Sequence, residues 1–468
     1  MAAIVTDTFR RNNARSFISD ILDVTNNNYY VGIGKSDKWI VDEEILNVSD
    51  IPVPRGVPSD DTNIKSNLVT LIKVTDKNAK VVIPHVKWQV GKYYKAYNPT
   101  DPQCFYPETV GGIEINPCYA VVKNRIYLCL QRPLHPTTAA LVAVSKEPAR
   151  NDYVADKGSD GYVWILVDNL SATAATIVTE QFISLNLPGT AAADNADNIR
   201  EEGGGIIYGF TVTSGGAGYP DLFEITFVGT YESGGTDDIT CSASAADGVL
   251  KSVSLPVGWN YIDAGKRGFV DGYFKTTTIG SGAVIVPHIS PLAGFAAAPE
   301  EILPAWFAGI AVDLKDDVST DGFYISYRQI SVLRNVEATI PTGPIDTLKA
   351  VSYLVLTAGP TVIPITGDII TFGDTKIRAY IDTYSPVRDP ITTAIEHRLY
   401  FHQNYVTGFG AIPATGTFID SREETRDYTG IVSGEYVANS GQVVFTENRK
   451  PINRQAGQTE ELKIIIQF

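Results

Sequence analysis

The chain has 468 residues and a formal net charge of −15, because 53 Asp and Glu outnumber 38 Lys and Arg. That balance argues against a nucleic-acid binder, since such proteins need a basic face to displace the counterions of a phosphate backbone. No run nears the roughly 20 apolar residues of a membrane-spanning helix and the N-terminus lacks the layout of a signal peptide, so a soluble protein made in the cytoplasm, with no membrane partner, is expected.

From Asp7 to about Asp23, residues Ala14, Phe17, Ile18, Ile21 and Leu22 recur at helical spacing, with Thr6 or Asp7 as cap and Asn26-Asn27-Asn28 as stop. The strand Tyr29-Tyr30-Val31-Gly32-Ile33-Gly34 follows and runs into a polar turn, Lys35-Ser36-Asp37-Lys38, closed by Trp39. A second helix is predicted from about Asp60 to Leu71, capped by Ser59, with Ile64, Leu68 and Leu71 on one face. Between Ala79 and Val167 short strands are broken by Pro and Gly: Lys80-Val81-Val82-Ile83-Pro84, Tyr119-Ala120-Val121-Val122, Arg125 to Leu130 and, after the turn Gly158-Ser159-Asp160-Gly161, Tyr162 to Val167.

Composition shifts near Thr190, where the run from Thr190 to Asn198 and the triplet Gly203-Gly204-Gly205 read as a linker. Beyond it, the strand and glycine turn from Phe210 to Tyr219 is echoed in degraded form by Val253 to Tyr261. Residues 201–300 are therefore expected to be an inserted β module carrying two hairpin-like units. From Pro304 the strand pattern of the first 190 residues returns, with a strand over Phe323 to Leu333. A smaller elaboration at about 341–436 holds candidate strands at Ile369–Phe372, Lys376–Ile381 and His397–His402. At the end of the chain Leu462, Ile464, Ile466 and Phe468 share one face at the strand period of two, which predicts a strand built into a sheet. The expected fold is mainly β: a multi-sheet β-sandwich core made of residues 1–200 and 301–468, with an N-terminal helix and inserted small β modules. A chain of this length exceeds what one hydrophobic core supports, so two or three compact units are expected.

Residue types that carry chemistry do not assemble into a motif. Gly34-Lys35-Ser36 matches the end of a phosphate-binding loop, but Tyr29 stands where its first glycine belongs and no helix is predicted to start at the lysine. A β-turn is expected there. His397 and His402, beside Glu396, sit at odd separation and would point to opposite faces of a strand, so joint metal ligation is awkward. His85, His135 and His288 each neighbour a proline and read as structural. The acidic clusters Asp42-Glu43-Glu44, Asp316-Asp317 and Glu423-Glu424 lack the spacing of a calcium loop, and Ser159 lacks the glycine pattern of a nucleophile elbow. Cys104, Cys118, Cys129 and Cys241 show no paired metal-ligand spacing and read as buried reduced thiols. The reading is of a non-enzyme without catalytic, cofactor-binding or metal-ligating residues and without a small-molecule substrate. Tyr219, Trp259 and Tyr261, on the predicted module loops, are interface candidates because aromatics are enriched in protein interfaces. The bland alternative is that these rings plug the module's own core.

Several blocks, taken in order, resemble one family. They are Ala3-Ile4-Val5-Thr6 with Phe9-Arg10, then Gly32-Ile33-Gly34-Lys35-Ser36-Asp37-Lys38-Trp39, then Ala79 to Pro84 with Lys87-Trp88. Asp160-Gly161-Tyr162-Val163-Trp164, Tyr327-Arg328-Gln329-Ile330-Ser331, Thr446-Glu447-Asn448-Arg449 with Pro451-Ile452, and Gln458-Thr459-Glu460-Glu461 follow. Their succession resembles the dimer-forming baseplate wedge protein of T-even-like contractile-tailed bacteriophages, in an enlarged, cyanophage-like version. The resemblance implies a mostly β virion component of the tail baseplate. It would form a homodimer, bind other wedge proteins, link peripheral fibre-bearing proteins to the inner baseplate, and move as a rigid body on contraction. The added material at about 201–300 and 341–436 lies outside what the resemblance covers. A tail-associated protein that binds or hydrolyses glycans is the alternative; hydrolysis would need a carboxylate pair brought together by folding.

Overall fold

A computed structural model describes residues 5–39, 51–133, 141–150, 152–170, 177–186, 204–261, 264–275, 279–314, 325–339, 347–373, 376–388, 393–454 and 458–468. The protein is mainly β, built from several antiparallel sheets with a few helices. The linker expected over Thr190–Asn198, His135 and the clusters Asp42-Glu43-Glu44 and Asp316-Asp317 lie outside the described residues. The chain divides into two units: residues 1–18, 80–309 and 465–468 form one, and 19–79 with 310–464 form the other. The first 200 residues thus contribute to both.

The opening helix, Asp7–Leu22, runs where its periodicity predicts. The Thr6 hydroxyl accepts a hydrogen bond from Phe9 N at 3.2 Å, which identifies Thr6 as the cap. Ala14, Ile18 and Ile21 are buried along its inner face.

In the unit of residues 19–79 and 310–464, a five-stranded sheet is ordered Thr347–Lys349, Leu68–Val74, Tyr29–Gly34, Tyr327–Arg334, Gln442–Ile452, antiparallel throughout. Tyr29–Gly34 occupies the centre, which is why all six of its residues are buried and its sequence is apolar without alternation. The second helix stops at Ser66, and this corrects the reading that carried it to Leu71. Its cap is at Val57 rather than Ser59. Asn67 ends it by turning its side-chain amide back onto Asn63 O at 2.8 Å, and Leu68 and Leu71 belong to the next strand.

The same unit contains a closed six-stranded barrel. Its order is Ser352–Leu356, Ile395–His402, Ile377–Arg388, Ile369–Phe372, Gly416–Ile419, Thr425–Val432. Leu354, Ile370, Phe372, Ala379, Ile381, Leu399, Phe401 and Phe418 fill it, each from alternate strand positions. His402, which stands at the opposite parity to Leu399 and Phe401, is buried as well.

In the unit of residues 1–18, 80–309 and 465–468, the strands Tyr119–Val122, Arg125–Gln131, Val163–Asn169 and Asp156–Lys157 form one antiparallel sheet in that order. A further sheet, whose residues are divided between the two units, is ordered Phe182–Ser184, Ala79–Pro84, Phe307–Leu314, Glu460–Gln467. The last residues are built into it as the alternation predicts, with Leu462 and Ile464 buried. Phe468 N donates to Trp306 O at 3.1 Å and the Phe468 ring lies 5.6 Å from that of Phe17.

Residues 207–289 enclose a core of their own, centred on Phe227, Ile239, Cys241 and Phe269. The pairing is not that of two successive hairpin units. The first strand, Ile207–Ala217, pairs with the last, Ser281–Ile289, while Val249–Ser254, Thr236–Ala246, Leu222–Tyr231 and Phe269–Phe274 make a four-stranded sheet. The strands that open the two echoing segments, Ile207–Ala217 and Val249–Ser254, therefore sit in different sheets, and Gly215 lets these strands approach: a Cβ there would come within 2.4 Å of Val249 Cγ1.

Candidate functional site

Three of the blocks that carry the family resemblance meet at one place. The turn after Tyr29–Gly34 places Lys35, Ser36 and Asp37 against Arg328 of the neighbouring strand, whose Nη1 donates to Ser36 O at 2.6 Å. Trp39 Nε1 donates to Arg449 O at 3.0 Å, and Gln329 Nε2 donates to Asn448 Oδ1 at 2.7 Å. Lys35 pairs with the Asp37 carboxylate and lies over the Trp39 ring, 5.3 Å from its centroid. Lys35 itself has a φ of 61° and its N–H donates to Asn67 O at 2.9 Å, so Gly34-Lys35-Ser36 is a turn and no helix begins there to receive phosphate.

Beneath this turn lies a buried polar node contributed by the barrel. Asp382, completely shielded from solvent, accepts from the Ser36 hydroxyl, and its Oδ1 lies 2.8 Å from His402 Nδ1. His402 Nε2 faces Asp37 Oδ1 at 3.8 Å, and the Tyr380 ring stacks on the imidazole at 5.5 Å. Asn404 Nδ2 bonds to Asn67 Oδ1 at 2.9 Å and extends the network back to the sheet. Burial opposes a charge on His402, but the charge and hydrogen bond of Asp382, with Asp37 beyond, outweigh it and raise the imidazole above its ordinary pKa despite nearby Lys35. Ser36, Asp382 and His402 are the residue types of a nucleophilic triad, in the wrong order. A base must lie between serine and carboxylate, whereas here Asp382 accepts from both partners and the hydroxyl proton is already committed. The arrangement fixes the turn to the barrel.

A second convergence lies in the other unit. Trp88, Tyr94, Tyr162 and Trp164 pack in one cluster, with Tyr162 and Trp164 stacked at 6.0 Å, so the Lys87-Trp88 and Asp160–Trp164 blocks are spatial neighbours. Asp160 Oδ2 accepts from Ser145 N and Lys146 N at 2.8 and 2.9 Å, which fixes the turn carrying Ser159. Beside this cluster a cleft of about 610 Å³ is lined by Lys95, Tyr97, Cys104, Arg132 and Trp259 among others.

Of the interface candidates, Tyr219 is only 8% exposed and its ring stacks on Phe223 at 5.4 Å. Tyr261 is 5% exposed, and burial raises its phenol well above the ordinary range. Trp259 is half-buried on the wall of the cleft, with the Lys266 ammonium 5.1 Å from its ring centroid. Tyr219 belongs to the module's own core and Trp259 packs against it, while Trp259 and the buried Tyr261 both line the cleft.

Among the described residues the histidines form no common site. His397 Nδ1 lies 2.7 Å from Tyr384 Oη, His85 Nδ1 2.7 Å from Thr179 O, and His288 Nε2 2.7 Å from Thr211 Oγ1, each in a separate setting from His402. Glu423 and Glu424 stand in the hairpin after Gly416–Ile419, where Asp420 Oδ1 accepts from Glu424 N at 3.2 Å. All four cysteines are buried and unbridged. Among the described residues, no group of three or more His, Cys, Asp or Glu is placed to hold a metal ion, and no helix is long and apolar enough to cross a membrane.

Sequence reasoning misses Asp382 and weighs His402 only as a partner of His397. The available signal is a polar residue directly after the inward-facing Ile381 and Phe401 of apolar strands, a position that is solvated on most barrels but covered here.

No protein-family model matches the chain, and no curated protein matches it.

Proposed function

We propose that the protein is a non-enzymatic structural component of a bacteriophage tail baseplate wedge, of the dimer-forming kind that its sequence blocks resemble. The observation that carries the reading is the meeting of the Gly32–Trp39 block with the Tyr327–Ser331 and Thr446–Arg449 blocks, across 292 and 410 residues of chain, in one hydrogen-bonded node. Side chains spent on bracing a turn against a sheet and a barrel serve rigidity, which is what a part that transmits movement as a solid body requires. Its partners on this reading are a second copy of the chain and neighbouring wedge proteins, bound through large surfaces of the kind obligate assemblies bury, commonly about 2,000 Å² or more.

The test is hydrodynamic. Sedimentation of the purified chain, alone and mixed with baseplate wedge proteins of the same phage, is expected to give a dimer that enters a larger complex without any small ligand. A strictly monomeric protein with no affinity for those components refutes the proposal. Excising the module between Ile206 and Ser290 is expected to leave that assembly intact, because the resemblance blocks all lie elsewhere.

A further inference from the structure

We propose that Cys104 and Cys118 are a redox-active dithiol that closes into an intramolecular disulfide on contact with a small disulfide oxidant. Cys104 lies in the single-turn helix Pro102–Phe105, which Asp101 caps by accepting from Gln103 N at 2.9 Å. Cys118 directly precedes the strand Tyr119–Val122. Cys118 N donates to Cys104 O at 2.9 Å, and the Cys104 thiol donates to Asn98 O at 3.7 Å. A backbone hydrogen bond of that length holds two residues side by side, within the roughly 4.4–6.8 Å Cα separation that a disulfide spans, so closure needs side-chain rotation and no movement of the fold.

The two sulfurs differ in access and in environment, which assigns their roles. Both are buried, at 2% and 0% exposure, but Cys104 stands in the wall of the cleft of about 610 Å³ and Cys118 does not. The neighbouring Cys118 thiol lowers the pKa of Cys104 against the effects of its burial and of Asp101, helped by the bond to Asn98 O and by Lys95. Burial and the neighbouring Cys104 push Cys118 up. Cys104 is thus the attacking thiolate and Cys118 the resolving thiol. Cys129 is the nearest competitor, since its N–H donates to Cys118 O at 2.8 Å, but its thiol points to Gln131 O at 3.4 Å and burial raises it.

With oxidised glutathione the steps balance. The Cys104 thiolate attacks one glutathione sulfur, forming a mixed disulfide and releasing one glutathione thiolate, which takes up the Cys118 proton. The Cys118 thiolate then attacks Cys104 Sγ and expels the second glutathione. Two protein thiols lose two electrons, and one glutathione disulfide gains them as two thiols. The chemistry is independent of the structural-component reading. On that reading, it places the oxidation after release from the reducing cytoplasm.

The test uses the full-length reduced protein, equilibrated with oxidised glutathione, quenched in denaturant with N-ethylmaleimide and mapped by peptide mass without reduction. The expected result is one cross-linked peptide pair joining Cys104 to Cys118, with Cys129 and Cys241 labelled. Labelling of all four cysteines, a bond to Cys129, or Cys104 recovered only as a glutathione adduct overturns the proposal. Cys118→Ser is expected to accumulate the Cys104–glutathione adduct, and Cys104→Ser to leave Cys118 labelled. A Cys118→Ser protein that stays unmodified at Cys104 also overturns it. The wild-type map requires no variant to fold.

Discussion

Asp382→Asn probes the node that fixes the Lys35–Trp39 turn to the barrel. Asp382 is fully buried and receives both the Ser36 hydroxyl and His402 Nδ1. Removing one member of a buried charged pair costs about 3–5 kcal/mol. The lower end, about 3 kcal/mol, is expected, because Asn still offers Ser36 an acceptor and the freed imidazole can shed its proton. Since the folded state raises the pKa of His402, the stability it adds is complete below its unfolded value near 6.5 and is lost as pH climbs through the higher folded value. The gap between wild type and Asp382→Asn should accordingly shrink at alkaline pH, toward the roughly 1 kcal/mol of a neutral hydrogen bond. Denaturant midpoints measured from pH 5 to pH 9 read the gap. Imidazole NMR reads the titration directly, since the chain has only 5 histidines. A destabilisation that does not change with pH, or a His402 that titrates at or below an ordinary histidine in the wild type, refutes the reasoning.

Phe372→Ala empties the centre of the barrel, where the ring contacts Phe401, Phe418 and Tyr428 at 6.0, 6.3 and 5.9 Å; a loss of about 3–5 kcal/mol is expected from thermal or denaturant unfolding. Gly34→Ala would bring a Cβ to 2.5 Å from Asn67 O, a backbone atom that cannot swing aside, so about 1–3 kcal/mol should be lost and the midpoint should fall. Burial raises Asp168 to about 6 against the hydrogen bonds from Asn186, so the folded state holds this proton more tightly than the unfolded chain does. Its contribution therefore falls as pH rises from about 4 through 6, by on the order of 3 kcal/mol, and Asp168→Asn should remove that slope from the unfolding midpoints.

The sequence announces what is local and periodic. The opening helix and the alternating final strand each carry a period, the central strand Tyr29–Gly34 is an unbroken apolar run, and each forms where its pattern predicts. The second helix is overextended in the sequence reading because Ile64, Leu68 and Leu71 fit a helical face while Leu68–Val74, buried on both sides, has no alternation to contradict it. The module's pairing is illegible for a different reason: composition marks strands, but it does not say that the first will join the last. The node is least visible of all. Ser36 and Asp382 are 346 residues apart, and nothing in either neighbourhood names the other. The backbone contact between Cys104 and Cys118 is hidden in the same way, since a separation of 14 residues matches no ligand or redox motif.

The module's two ends are tied together at its base. Ser290 N donates to Ile206 O at 2.9 Å, Ile206 N to Ser290 Oγ at 3.0 Å, and Gly205 N to Pro291 O at 3.2 Å. Chain that leaves and returns through neighbouring positions behaves as a socket: the scaffold sees the same two anchor points whatever is mounted between them. Substituting a different domain at that joint alters neither the strand order nor the loop closure of the remainder. Evolution can therefore trade this part for another while the frame that holds it stays in place.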